Sequence, residues 1–299
     1  MTKKQKRQLA VYILVFLLVL INLFMTQCAK KEKISVIEEQ EKEQIEYCYA
    51  HFLNVGQGDC TLIETHDGKY ALIDASTQEA APIILSYLTN EGVKELEYVI
   101  FTHPHEDHIG CGDEIIENFK VNNIYMTDKI ETTACYEKLI ESIAKSKQIN
   151  GTKVLRPKTS EKFYLGDIEF LVLSDGSEYE DTNNSSICLR VEYGKTTFIF
   201  TGDAEKPVER DILNQNFDLE AEIYKCAHHG SSTSNSEEFL DAIDPRLAII
   251  SCGLDNDYGH PHVEVISSLY KRDVTTLRTY EEGHIVISFT EESYIIPKL

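Results

Sequence analysis

The stretch THPHEDHIG, residues 102–110, sets His103, His105, Asp107 and His108 within six positions. Imidazoles and carboxylates at that density are the donor set of a divalent-cation site. The stretch directly follows 98–101, an apolar run that reads as a strand. If the extended conformation continues past Thr102, the two-residue period puts His103, His105 and Asp107 on one side, and His108 turns in from the next element. Two neighbouring pockets of mixed nitrogen and oxygen donors result, suited to zinc, manganese or iron(II). A lone HxH carries little weight; HxHxDH at a strand end carries much more. The other histidines are clustered too: His228 and His229 stand in HHGSSTS, His260 and His262 in YGHPHVEV, so seven of the ten fall in three groups. No Ser-His-Asp order and no Walker-type glycine loop offers a rival chemistry or a nucleotide cofactor site.

These residues resemble the signature of the metallo-β-lactamase superfamily, and further segments match it in order. ALIDAS supplies Asp74 at a strand end, where the family keeps a buried aspartate that orients the metal loop. FIFTGDAE supplies Asp203, whose family counterpart bridges two metals. HFLNVGQGDC, NNSSICL, CAHHGSSTS and DYGHPHVEV narrow the likeness to the extracellular metallo-hydrolase domain of ComEC-type competence proteins and to stand-alone relatives of it, over residues 47–299. The resemblance implies an α/β fold, a four-layer αββα sandwich, and an enzyme: a metal-dependent hydrolase, a phosphodiesterase or nuclease using water activated by two divalent metal ions. Gly56 and Gly58 would let the backbone of the GQGD turn approach the site closely, with Asp59 supporting it.

One departure stands out. The superfamily places a third histidine for its first metal between HxHxDH and the bridging aspartate, but residues 109–202 contain none. TNNSS occupies that place, so Asn183, Asn184 or Ser185 could fill the gap directly or hold a water. Fewer imidazoles and more oxygens shift the preference from zinc towards harder ions such as manganese. For the second metal, Asp107, His108 and Asp203 need another histidine. His229, at the end of a strand, is preferred to His260, in a loop. His228 and His260 then contact the leaving group or a phosphate oxygen, Asp107 or Asp203 takes the proton of the attacking water, and Ser231 offers a phosphate contact or merely begins a helix. His262 reads as a partner for Glu264.

The elements that must position these groups are short. Strand-like runs occur at 47–55, 61–64, 70–73, 98–101, 170–173, 187–191, 196–200, 223–226, 247–250 and 284–289. Helical patterns occur at 79–90, 132–147, 205–214, 237–243 and 263–271, with Asn235 or Ser236 as a cap before Glu237. Strands come first, then helices and strands mix, which favours sheets sandwiched between helices in one domain.

Ahead of that domain, Lys3, Lys4, Lys6 and Arg7 precede an apolar run at 9–25. Its 17 residues approach the ~20 that span a bilayer. We read 1–28 as an uncleaved membrane anchor helix or signal segment, with a lipidated Cys28 as the alternative, 29–46 as a charged tether, and 47–299 as the hydrolase domain. The basic end stays inside, so the catalytic domain lies outside the cell membrane. Seven basic and one acidic residue up to Lys33 contribute +6 to a net charge of −21, leaving about −27 on the remainder. Such a body repels polyanions at long range. A phosphodiester substrate such as DNA must therefore be held locally, with Lys195, Lys225 and Arg246 as candidate contacts. The eight cysteines show no CxxC pair, and Cys188, Cys226 and Cys252 lie in apolar runs as buried thiols.

Three functions compete. The first is an exported, membrane-held nuclease. The second keeps the chemistry and resembles phosphorylcholine esterases of cell-wall phosphodiesters, although the chain has no tryptophan and no choline-binding repeats. The third is a non-catalytic metal-binding module, which the complete HxHxDH plus Asp203 argues against.

Overall fold

Strands that are apolar on both faces need cover on both faces, and this chain supplies it with a second sheet on one side and helices on the other. The structure is a computed structural model and describes residues 2–4, 7, 20–27, 30 and 46–296. The chain divides into two units, Met1–Ile45 and Glu46–Leu299. In the first, residues 20–27 are helical. Among the described residues no helix is long and apolar enough to cross a membrane. More than half of the expected anchor at 1–28, Cys28 included, and nearly all of the tether at 29–46 lie outside the described residues.

The second unit holds two sheets. The first has eight strands in the order β15 (Tyr294–Ile295), β14 (Ile285–Phe289), β1 (Cys48–Phe52), β2 (Thr61–Glu64), β3 (Tyr70–Ile73), β4 (Glu95–Ile100), β5 (Lys120–Tyr125) and β6 (Lys153–Leu155). The second has seven, in the order β13 (Thr275–Arg278), β12 (Leu247–Ile250), β11 (Ile223–Lys225), β10 (Thr196–Phe200), β9 (Cys188–Tyr193), β8 (Ile168–Ser174) and β7 (Lys162–Leu165). Each sheet runs antiparallel and then turns parallel: from β3 to β6 in the first, from β10 to β13 in the second. In-register pairs Ile73 with Ile100 and Phe200 with Lys225 bring the C-terminal ends of those parallel strands out level with one another. The loops that follow them carry the site, as the crevice beyond parallel strand ends does in open α/β sheets.

Between the sheets lies one apolar core, in which Phe52, Ile63 and Ile100 meet Phe170, Phe198 and Ile249. The rings of Phe52 and Phe200 stack across it at 6.0 Å and 18°. The outer face of the first sheet packs Leu62 and Leu72 against Ile84 and Leu88 of α1 (Ala81–Asn90), then against α3 (Gly112–Asn118) and α4 (Ala134–Ile149), with α2 (Glu106–Ile109) between. The second sheet does the same with α5 (Lys206–Asn214), α6 (Glu237–Ile243) and α7 (Val263–Lys271). Each such fully buried aliphatic or aromatic side chain contributes about 1.5–3 kcal/mol. Ser236 caps α6 by accepting from Phe239 N–H. The seven described cysteines are buried free thiols.

Some elements escaped the sequence pattern. In β5, KVNNIY, Asn122 and Asn123 donate from their carboxamides to Glu95 and Glu97 of β4, so two consecutive polar residues, one on each face, interrupt the apolar alternation. β4 accordingly starts at Glu95, three residues before the apolar run. β6, β7, β13, β15 and α3 are short and offer too little period to read.

Candidate metal centre

β4 ends at Ile100, and the chain does not stay extended as far as Asp107. Residues 101–105 are irregular, and α2 begins at Glu106 with His105 in the cap position. Pro104 lacks the N–H that a continuing strand would need, and acidic residues favour a first helical turn. Asp107 and His108 are therefore presented by a helix, which corrects the alternating-strand expectation. The turn still gathers the group: His103 Nε2 is 3.1 Å from His105 Nδ1, and the His103 and His108 rings are 4.1 Å apart.

Asp74 follows β3 in the left-handed region, at φ 60°. Its Oδ1 accepts from Thr102 N–H and its Oδ2 from Thr102 Oγ1, each at 2.8 Å. Oδ2 also lies 2.8 Å from His108 Nδ1. A proton held on Nδ1 by this carboxylate leaves His108 Nε2 free to face the cleft, the usual way a carboxylate behind an imidazole prepares it for a cation. Asp203 follows β10 through Gly202, at φ 52°, where a Cβ would come within 2.9 Å of both Ser186 Oγ and Thr102 Oγ1. Ser186 Oγ accepts from Asp203 N–H at 3.1 Å, lies 3.3 Å from His103 Nδ1 and donates to the Asn183 carbonyl at 2.7 Å.

After β11 both His228 and His229 take left-handed backbone conformations, φ 50° and 54°, a local cost of order 1–3 kcal/mol each. That double bend turns both rings into the cleft. His229 Nε2 lies 3.1 Å from Asp107 Oδ2 and 3.6 Å from Asp203 Oδ2, and its Nδ1 bonds the Ser251 carbonyl at 2.9 Å. His228 Nε2 stands 3.6 Å from Asp203 Oδ2. His260, from the loop after β12, places its ring 6.0 Å from His229 and 5.5 Å from His228.

Asp107, His108, Asp203 and His229 each offer a donor atom, and the four atoms lie within 4.8 Å of one another. His108 Nε2 and Asp203 Oδ1 face each other at 3.2 Å, buried, and neither makes a hydrogen bond. Buried polar atoms are almost always satisfied, so this pair fits a divalent cation between them. His103 Nε2 lies 3.9 Å from Asp203 Oδ2, on the side where His105 also stands. The charges respond strongly to one another. Burial works against the charged forms of Asp107 and Asp203, yet His108 and His229 beside them hold both well below the usual carboxylate range. Burial opposes a proton on His229 too, but Asp203 and Asp59 push it up to about 10. His260 is pushed down to about 4 by burial and by the neighbouring His229 and His228.

A family model described as the metallo-beta-lactamase superfamily matches residues 53–254. The chain belongs to that superfamily. Among curated relatives, ComE operon protein 3 of Bacillus subtilis (strain 168) is 30% identical over 251 residues, covering 78% of this chain and 32% of the relative. Recombination protein 2 of Haemophilus influenzae is 29% identical over 247 residues, 80% of this chain and 29% of the relative. The resemblance to ComEC-type proteins is thus a homology, and the chain spans about a third of the length of these relatives. Among solved structures, the metallo-beta-lactamase fold protein YhfI from Bacillus subtilis aligns with a TM-score of 0.53 at 14% identity, covering 81% of this chain and 100% of that one, which shows a shared fold.

Within this metallo-beta-lactamase frame the cleft has a volume of about 390 Å³ and is lined by His105, Asp107, Asp203, His228, His229 and His260, together with Gln57, Glu106, Thr133, Asn183 and Tyr258. Three expected contacts are turned away from it. Asn184 accepts from Glu205 N–H and donates to Asp181, Ser185 Oγ donates to the Thr182 carbonyl, and buried Ser231 bonds Thr233. Asn183 lines the cleft instead, with a buried Oδ1 that has no partner. His262 accepts from Ser232 N–H and faces the Tyr258 carbonyl, not Glu264. The basic residues expected to touch phosphate do not line the cleft: Lys195 pairs with Glu292, Arg246 with Glu222, and Lys225 is buried against Asp59. Ser186, Gln57 and Tyr258 were missed. Only NNSSICL, the glutamine inside GQGD and the tyrosine before GHPH hinted at them.

Proposed function

We propose that this chain is a metal-dependent phosphodiesterase acting on DNA, with two divalent cations, manganese in preference to zinc, and with its hydrolase domain, 47–299, held outside a cell membrane by the N-terminal segment. The reading rests on His108 Nε2 and Asp203 Oδ1, buried 3.2 Å apart without a hydrogen bond and set among nitrogen and oxygen donors, with Asp203 lining an open cleft. His103, His105 and Asp203, helped by Asn183, would hold one ion; Asp107, His108, Asp203 and His229 would hold the other. Divalent cations held by these residues would lower the pKa of bound water from 15.7 towards ~7 and polarise phosphoryl oxygens.

The chain's own groups do the rest. Asp74 fixes the His108 tautomer through Nδ1. Asp107, a quarter exposed at the cleft wall, accepts the proton of the attacking water on a carboxylate oxygen. His228 and His260, on the wall built by the β11 and β12 loops, would stabilise the departing oxygen by hydrogen bonds from neutral ring N–H groups, since burial and neighbouring imidazoles hold both below the usual histidine range. The two left-handed residues at 228–229 keep this wall pre-organised, so little geometry has to be found during the reaction.

A second reading, hydrolysis of a small wall phosphodiester such as a phosphorylcholine ester, draws on one observation: among the described residues lining the cleft there is no lysine or arginine. The two separate on substrates. Incubated with manganese, the protein is expected to cleave single-stranded DNA as well as a chromogenic phosphodiester; turnover of the small ester alone overturns the nuclease reading.

A further inference from the structure

A nucleic-acid cleft without lysine or arginine must hold its substrate beyond the reacting phosphate by some other means. The structure offers one. The rings of His229, His260 and Tyr258 form a near-parallel column that leads outwards from the proposed metal centre. His229 and His260 lie 6.0 Å apart at 29°, and His260 and Tyr258 lie 5.5 Å apart at 17°. His229 is buried, whereas Tyr258 at the outer end is 66% exposed and lines the cleft.

The loop beneath the outer ring is braced. Asn256 donates from Nδ2 to the carbonyls of Gly253 and His260, at 2.9 and 2.6 Å. Its Oδ1 accepts from the N–H groups of Tyr258 and His260, at 3.1 and 3.0 Å. Gly253 N–H in turn donates to Gln57 Oε1 across the cleft, at 3.2 Å. A tyrosine on so constrained a loop presents its open face at a defined position and loses little freedom when a planar group covers it.

We infer that Tyr258 is a stacking platform for the nucleobase adjoining the scissile phosphate, continuing the column by one more ring. This rests on the nuclease reading and deepens it. Every base has a π face, so such a subsite is indifferent to sequence and needs no positive charge, which reconciles a DNA substrate with an acidic protein.

The test compares a single-stranded oligothymidine with the same chain carrying abasic sites, for the wild type, Tyr258→Ala and Tyr258→Trp, all with manganese. In the wild type KM for the abasic chain is expected to exceed that for oligothymidine by about 5- to 150-fold. That ratio should collapse towards one in Tyr258→Ala and persist in Tyr258→Trp, which keeps a π face without the phenol. A ratio of one in the wild type, or one unchanged by Tyr258→Ala, overturns the stacking subsite while leaving the nuclease reading intact. Failure of the wild type to cleave either chain while it hydrolyses a small phosphodiester removes the nuclease reading, and the subsite with it. Preference for a choline phosphodiester, lost in Tyr258→Ala, assigns the ring to a quaternary ammonium and overturns base stacking too.

Discussion

Lys225 Nζ lies 2.7 Å from Asp59 Oδ2, an ion pair joining the second sheet to the GQGD turn of the first, with side chains 4% and 7% exposed. Asp59 N–H donates to the Asp107 carbonyl at 3.0 Å, and Asp59 Oδ1 stands 3.4 Å from His229 Nδ1. The pair therefore sits behind two residues that face the cleft from opposite sheets. Removing one partner strands a buried charge. Lys225→Met is expected to cost about 3–5 kcal/mol in urea unfolding, with much of the loss recovered by adding Asp59→Asn. A single variant within 1 kcal/mol of wild type contradicts this account of the pair.

Gly58 brings backbone against backbone. A Cβ there would lie 2.6 Å from the Asp107 carbonyl oxygen and 2.6 Å from Ser76 Oγ, at a φ of 134°. Gly58→Ala is expected to lower stability by more than about 1 kcal/mol and to depress turnover by shifting Asp107. Gly68→Ala, whose Cβ meets nothing within 4 Å, serves as a control for backbone strain alone. Equal thermal shifts in the two variants would show that the contact with Asp107 does not matter.

The late histidines divide the work with the ligand set. His228→Ala and His260→Ala, each removing a hydrogen-bond donor to the departing oxygen, should each lower kcat by about 10²- to 10³-fold while retaining bound metal. Asp203→Ala should lose metal and activity together. Elemental analysis beside steady-state kinetics distinguishes these outcomes. Loss of metal in His260→Ala would make it a ligand and reverse its order with His229.

Asn183 lines the cleft from the TNNSS segment. Its unpartnered Oδ1 predicts that Asn183→Ala weakens manganese binding by about 10- to 100-fold, and that Asn183→Asp restores it, measured by calorimetry on the apo protein. Unaltered affinity in Asn183→Ala would leave the first site without an oxygen from this segment.

Much of the fold was legible because its elements are short and pure. Thr61–Glu64, Thr196–Phe200, Leu247–Ile250, Glu237–Ile243 and Val263–Lys271 have the bounds that their apolar patterns suggest. β5 was not legible, since Asn122 and Asn123 owe their place to Glu95 and Glu97 on the next strand, which a local period does not reveal. In the same way the histidine clusters announced the cleft, but not which atoms face it. Asn184 and Ser185 look like ligands by type and spacing, and only the turn at 181–186 shows that their hydrogen bonds are made elsewhere. Lys225 looks like a phosphate contact until the opposite sheet places Asp59 beside it.

His108 Nε2 and Asp203 Oδ1, buried 3.2 Å apart and each without a hydrogen bond, are read as donors to divalent cations. The most direct measurement is the metal-to-protein ratio, by elemental analysis, of protein purified without added metal. The account predicts about two divalent ions per chain in the wild type, as in two-metal phosphoesterase sites, and loss of that metal in a folded His108→Ala/Asp203→Ala variant. A wild-type protein that is metal-free and gains no thermal stability from manganese or zinc would contradict it.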